Sequence, residues 1–335
     1  MAMSEIPTVA VLGTGGTIAS TDTDEGAEPT RGAADLLDAV PELAAHADLV
    51  VEEVAQRPSF DMDFETVLAL ADAARDAGAD GIVVTHGTDT MAESAYALDH
   101  LLDGTVPVVF TGAQRHADLP GADGPANLLA AVRAAGDDRL RAAGGTYVAF
   151  DDELHAAGAV RKLHTSRLGA FGSPAVGPVA SVLRDGIEFH RPPGSDAPRF
   201  DVERVTATVP VLFSGIGVGD AGLRRALDAG ADGAVVEATG AGNATAALGE
   251  AIAAAAADGV PVVVTSRCPA GRVQPVYGTP GGGRTLAESG ALSGGRLSAA
   301  KARVKLVLAL SRRAPDPPVE ALFPPWTGAA HEETT

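Results

Sequence analysis

The chain has 335 residues, a formal net charge of −19, 46% hydrophobic residues and only 4% aromatic ones. Its length suggests two domains, and its apolar content excludes an acidic disordered chain. The charge argues against nucleic-acid and anionic-membrane partners, which demand a basic footprint. Cys268 is the single cysteine, so an intrachain disulfide and a cysteine-based zinc site are excluded. No apolar run approaches the ~20 residues of a membrane span. The opening MAMSEIPTVAVLG lacks the basic segment and long apolar stretch of a secretory signal. The expectation is a soluble, cytoplasmic protein.

In chain order, strands are expected at Thr8–Leu12, Leu49–Val54, Gly81–Thr85, Val106–Thr111 and Thr146–Phe150. Helical spacing of apolar residues lies between them at Asp63–Asp76, Met91–Leu102 and Ala126–Ala135. The later half repeats the alternation, with strands at Pro210–Phe213, Ala234–Val236 and Pro261–Thr265. Its helices are expected near Gly222–Ala229, Thr245–Ala257 and Ser298–Arg312. Alternation of this kind predicts parallel sheets flanked by helices. The fold class is therefore α/β in two domains. A larger, doubly wound, flavodoxin-like N-terminal domain covers residues 1–188, and a smaller C-terminal α/β domain covers 210–335. Residues 189–209, opening with the proline-rich FHRPPGSDAPR, read as an exposed linker. DAGADGIVV (Asp76–Val84) and DAGADGAVV (Asp228–Val236) are two similar helix-to-strand junctions, with Gly78 and Gly230 suited to left-handed helix caps.

VAVLGTGGTIAS (Val9–Ser20) puts a glycine-rich turn, carrying Thr14 and Thr17, directly after the first strand. A dinucleotide fingerprint fails there because Ile18 occupies the sixth position, and no lysine stands where a Walker A loop needs one. What stays is a turn at the carboxyl end of a parallel strand, where open α/β sheets bind ligands. VVTHGTDTMAESAY (Val83–Tyr96) repeats the strand, glycine turn and helix start, crowding His86, Thr88 and Asp89 at one strand end. Thr90 with Glu93 fits a capping box for the following helix. Two hydroxyls converging on one crevice need a base to become nucleophiles.

Lysine is nearly absent, with Lys162, Lys301 and Lys305 the three in the chain. A lysine amine can surrender its proton where an arginine guanidinium cannot, so Lys162, in AVRKLHTSRLGAF (Ala159–Phe171), points to chemistry. Lys301 and Lys305 stand one helical turn apart and read as exposed helix positions. His46, His100 and His116 are scattered and read as exposed, and no histidine cluster suggests a metal.

TGGTIAS (Thr14–Ser20), THGTDTMAESAY (Thr85–Tyr96) and RKLHTSRLGAF (Arg161–Phe171) together resemble the bacterial-type asparaginase/glutaminase family. RPSFDM (Arg57–Met62), ADGPANLLAAV (Ala122–Val132) and LSAAKARVKLVLAL (Leu297–Leu310) extend the resemblance over nearly the whole chain. The resemblance implies an amidohydrolase that converts L-asparagine to L-aspartate and ammonia through a threonine acyl-enzyme, with no cofactor and no metal. It implies Thr17 as the primary nucleophile. It further implies that Thr88, Asp89 and Lys162 form a second catalytic group and that Ser59, Asp89 and Thr88 bind substrate. It also implies a homodimer or homotetramer. The alternatives are an L-glutaminase, a dual asparaginase/glutaminase, the ammonia-supplying subunit of a tRNA-dependent amidotransferase, or a non-catalytic amino-acid-binding module. The amidotransferase subunit ordinarily carries an additional N-terminal domain, for which a first strand at Thr8 leaves no room.

The sequence departs from the family pattern in places. The loop Thr21–Arg31 has no tyrosine, so either Thr23 or Thr30 takes that place or Thr17 is activated differently. Asn243 or Thr245 stands where a neighbouring subunit commonly contributes an asparagine, and Tyr277 lies near the expected position of its glutamate. The acidic excess and scarcity of lysine suggest a surface adapted to concentrated salt, where screening acts over about 3 Å.

Overall fold

A computed structural model describes residues 6–23, 26–29 and 31–326, with the backbone alone at 22, 23 and 26–29. The chain divides into two compact units, Met1–Arg199 and Phe200–Thr335.

The first unit is built on an eight-stranded sheet. From edge to edge it runs Asp48–Glu53, Thr8–Gly13, Gly81–Thr85, Val108–Thr111, Thr146–Phe150, Glu153–Ala156, Ala180–Leu183 and Gly186–Phe189. The first five strands are parallel and lie in the chain order 2-1-3-4-5, the flavodoxin-like order in which ligands bind where the winding reverses. The last three are antiparallel. The doubly wound α/β reading holds, and the antiparallel extension is an addition that short, half-buried strands do not announce.

Successive strand residues face opposite sides of the sheet, and Val9, Val11, Val83 and Val109 form one core with Leu36 and Leu128. Helices Phe64–Asp76 and Met91–Leu101 pack on each other, while Gly124–Ala135 lies against the central strands. Gly78 and Gly230 adopt φ of 57° and 86°, the left-handed caps expected of them.

Two histidines depart from the expectation of exposure. His46 is exposed, but His100 and His116 are buried. His100 lies on the inner face of its helix, edge-on to Tyr96, with Nδ1 2.7 Å from the Pro198 carbonyl. The proline-rich stretch is tied to the first unit at neighbouring points. The Gly194 N–H donates to the Tyr147 hydroxyl, and the Ser195 hydroxyl donates to buried Asp99, each at 2.7 Å.

The second unit holds a four-stranded parallel sheet in the order Val211–Phe213, Ala234–Ala238, Val262–Ser266 and Leu292–Ser293. Helix Ala246–Ala257 and the sheet share a core of Val236, Val262, Val264, Leu248 and Ile252. Helix Ala299–Ser311 packs against the two central strands, and this corrects the reading of the remaining lysines. Lys301 and Lys305 are buried, because the helix is covered around most of its circumference. Lys305 Nζ stands 5.1 Å from the Phe323 ring centroid.

Burial pushes the Lys305 amine down to about 8 from 10.5. Below pH 8 both folded and unfolded chains carry its proton, and the native state bears the cost of a buried charge. Between about 8 and 10.5 the unfolded chain binds more protons, so stability rises with pH through that window. Lys305→Met is therefore expected to stabilise the protein at pH 7, by on the order of 3 kcal/mol less the contribution of the ring contact. Its advantage over the parent should shrink as pH climbs to 10.5. Denaturation of both proteins across that range checks this, and a variant less stable at pH 7 overturns it.

Candidate active site

Three loops at the carboxyl ends of the first three parallel strands build the site. The first strand ends at Gly13, and the Thr14 amide and hydroxyl both donate to the Thr85 carbonyl, at 3.0 and 2.8 Å. Thr14 is thus a fully buried structural hydroxyl that locks the first turn to the third strand. Gly15 and Gly16 come next, with φ of 88° and 84°. A Cβ on Gly16 would fall 2.3 Å from the Gly87 nitrogen, so the two glycine turns touch backbone to backbone. Thr17, half-buried, opens the 3-10 turn Thr17–Ala19 at that contact. The loop after it is a hairpin of Ser20–Thr23 and Gly26–Pro29. Thr30 lies outside the described residues, and Thr23 is described by its backbone only.

The second turn brings Ser59 into place. Buried Ser59 accepts the Asp89 N–H at Oγ over 3.2 Å, and its carbonyl accepts the Thr90 hydroxyl at 2.7 Å. That bond corrects the capping-box reading. Thr90 is the N-cap residue, but its side chain makes no cap bond because it reaches across to the serine turn. His86 also has a structural explanation. Fully buried, it is pushed down to about 4 by desolvation, so it is neutral at pH 7. Its Nδ1 lies 2.7 Å from the Gly87 carbonyl, stiffening the glycine turn.

Lys162 arrives from a separate two-stranded sheet, Arg161–Lys162 paired with Phe171–Gly172. Its Nζ donates to Thr88 Oγ1 at 2.8 Å and to Asp89 Oδ1 at 2.7 Å. The Thr88 side chain is buried and the Lys162 side chain is 18% exposed, whereas the Asp89 side chain is 55% exposed. The Asp89 side chain is therefore open to solvent while the amine–hydroxyl contact is partly buried. Asp89, Lys162, Leu163, His164 and Thr165 line an open pocket of about 390 Å³.

Ser59, Thr88, Asp89 and Lys162 are thus brought together, and Thr17 stands on the adjoining turn. Asn243 and Thr245 serve the second unit's own backbone. Asn243 Oδ1 accepts the Gly283 N–H, and Thr245 caps helix Ala246–Ala257. Tyr277 is exposed. Asp123 is a residue that sequence reasoning misses, although its block is recognisable. It is buried and accepts the Gln114 and Arg115 N–H groups and the Asn127 amide, shaping the turn after the fourth strand. An acid at the entrance of a helix, just before Gly-Pro, is the available signal. Among the described residues no three His, Cys, Asp or Glu side chains gather as a metal site, and no helix is long and apolar enough to cross a membrane.

Residues 8–194 match the family model "Asparaginase, N-terminal", and residues 208–323 match "Glutaminase/Asparaginase C-terminal domain". The chain belongs to the asparaginase family. Within it, a glutamyl-tRNA(Gln) amidotransferase subunit from Haloquadratum walsbyi is 39% identical over 93% of this chain and 73% of the relative. A probable periplasmic L-asparaginase of Haemophilus influenzae is 34% identical, covering 92% and 90%. The crystal structure of a probable cytoplasmic L-asparaginase from Campylobacter jejuni superimposes with a TM-score of 0.83 and 32% identity, covering 94% of this chain and 98% of that one. All the site segments of this asparaginase-family chain lie inside the region matched by the N-terminal model.

Proposed function

We propose that this protein hydrolyses the side-chain amide of L-asparagine to L-aspartate and ammonia. The observation that carries the reading is the Lys162 amine held between the Thr88 hydroxyl and the Asp89 carboxylate at the reversal point of the sheet. In this reading the Thr17 oxygen attacks the amide carbon and gives up its hydroxyl proton, and the C–N bond breaks as that proton passes to the departing nitrogen, which leaves as ammonia. Thr17 is then an ester. Water, deprotonated at the Thr88–Lys162 pair, attacks that ester, releasing aspartate and restoring the Thr17 hydroxyl. Asp89 orients the lysine and, with Ser59, receives the substrate's amino and carboxylate groups. Backbone N–H groups beside Thr88 stabilise the oxyanion, a contribution commonly worth about 3 kcal/mol. The active species is a homodimer or homotetramer.

A second reading, supply of ammonia from glutamine to a partner enzyme, is favoured by the identity to glutamyl-tRNA(Gln) amidotransferase subunits. One methylene is worth about 1–3 kcal/mol in a fitted pocket. Ammonia release from asparagine and from glutamine at matched concentrations is therefore expected to differ at least tenfold in favour of asparagine. Release from glutamine alone supports the second reading, and binding of either amino acid without turnover overturns both.

A further inference from the structure

We infer that His155 and Ser173 form a polar strut that positions Lys162, an inference that rests on the role proposed for that lysine. Lys162 sits on a two-residue strand outside the eight-stranded sheet, opposite Phe171. Its strand is tied to the large sheet on one side through Val160, whose N–H donates to the Ala156 carbonyl at 3.1 Å, and on the other through Phe171–Gly172 and the residue after them. That residue is Ser173, and its Oγ lies 3.1 Å from His155 Nδ1. His155 belongs to Glu153–Ala156 of the large sheet, paired with Val148 of the buried strand Thr146–Phe150. His155 and Ser173 are 1% and 6% exposed. The Glu153 carboxylate stands 3.2 Å from His155 Nε2.

With its proton on Nε2, which faces the Glu153 carboxylate outside hydrogen-bond geometry, the ring is oriented by the bond at Nδ1. Nδ1 then accepts the Ser173 hydroxyl proton. A serine and a histidine buried this deeply are costly unless bonded, and an apolar pair would fill the same space more cheaply. An apolar link is also present, since the Phe171 ring packs on Phe150 at 4.9 Å. That contact holds the small sheet against the large one without fixing its direction. The Ser173–His155 bond has a required distance and angle, so it fixes the Phe171 side of the small sheet, as the backbone bond from Val160 fixes the Lys162 side. His155 and Ser173 are positioning residues, because neither lines the pocket.

The test uses the full chain. Ser173→Ala and His155→Gln, whose amide reaches the Nε2 side only, are expected to lower kcat for ammonia release up to about 100-fold while leaving KM nearly unchanged. His155→Asn puts an amide where Nδ1 was and is expected to restore kcat to near the parent's. The three-lysine sequence allows a second readout that needs no turnover. With lysine labelled at Cε, Ser173→Ala is expected to displace the Lys162 resonance, assigned by its loss in Lys162→Met, and to leave Lys301 and Lys305 in place. An unmoved Lys162 signal overturns the strut whether or not the parent is active. So does an active parent matched in kcat by Ser173→Ala. A parent that releases no ammonia, with the Lys162 signal displaced by Ser173→Ala, overturns the proposed reaction and leaves the strut standing.

Discussion

Lys162→Met is expected to lower kcat for asparagine hydrolysis by about a thousandfold, within the range that a positioned proton-transfer group contributes, with a much smaller change in KM. The amine reaches Thr88 Oγ1 and Asp89 Oδ1 at once, and methionine has a similar length with no donor. Lys162→Arg is the informative companion. It keeps the positive charge beside Asp89 but replaces an amine, which can surrender a proton, with a guanidinium, which cannot. It also replaces a compact amine with a planar fork. If Lys162 serves only as a counter-charge, arginine restores much of the rate; if it moves a proton, arginine is nearly as inactive as methionine. Steady-state ammonia assays with circular dichroism to confirm folding decide between them. A folded Lys162→Met protein at near-parental turnover overturns the assignment of this group.

Gly16→Ala is expected to have the larger structural effect, and Gly78→Ala is its control. Both glycines have positive φ, 84° and 57°. At Gly78 nothing lies within 4 Å of an added Cβ, so alanine there costs about 1 kcal/mol of backbone strain and leaves ammonia release intact. At Gly16 the ψ of −176° puts the residue in a region almost restricted to glycine. The added carbon would also lie 2.3 Å from Gly87 N and 2.4 Å from Gly87 Cα. The two turns must separate, which misplaces Thr17 relative to Thr88. The expected result is a melting midpoint well below that of Gly78→Ala and turnover reduced by about 100-fold or more. Equal midpoints and full activity in both variants would falsify the close backbone contact.

Particular residues show how far sequence reasoning reaches. Thr88 and Asp89 are legible because each lies within a few residues of a strand end, where open α/β sheets bind ligands, whereas Ser59 is read only from the resemblance of RPSFDM to the family. Thr14 and Thr17 look equivalent in the glycine turn. The resemblance singles out Thr17, and the bonds from Thr14 to the Thr85 carbonyl give Thr14 a structural role. The same holds for Thr90, whose local pattern fits a cap while a tertiary acceptor on Ser59 claims its hydroxyl. The antiparallel strands beyond Thr146–Phe150 and the two-residue strands around Lys162 are too short to show a period.

Composition brings out the three lysines, and their fates divide the contributions of pattern and packing. Local periodicity and residue chemistry are enough for the α/β class, the chain order of the site loops and the singularity of Lys162. Helical spacing places Lys301 and Lys305 on one stripe but does not say whether that stripe faces water. Coverage by the sheet and by neighbouring segments buried both, and the fold of the first unit brought Lys162 to residues more than seventy positions away. Burial and long-range contact are properties of how elements cover one another. A one-dimensional pattern specifies faces, and packing decides what lies against them.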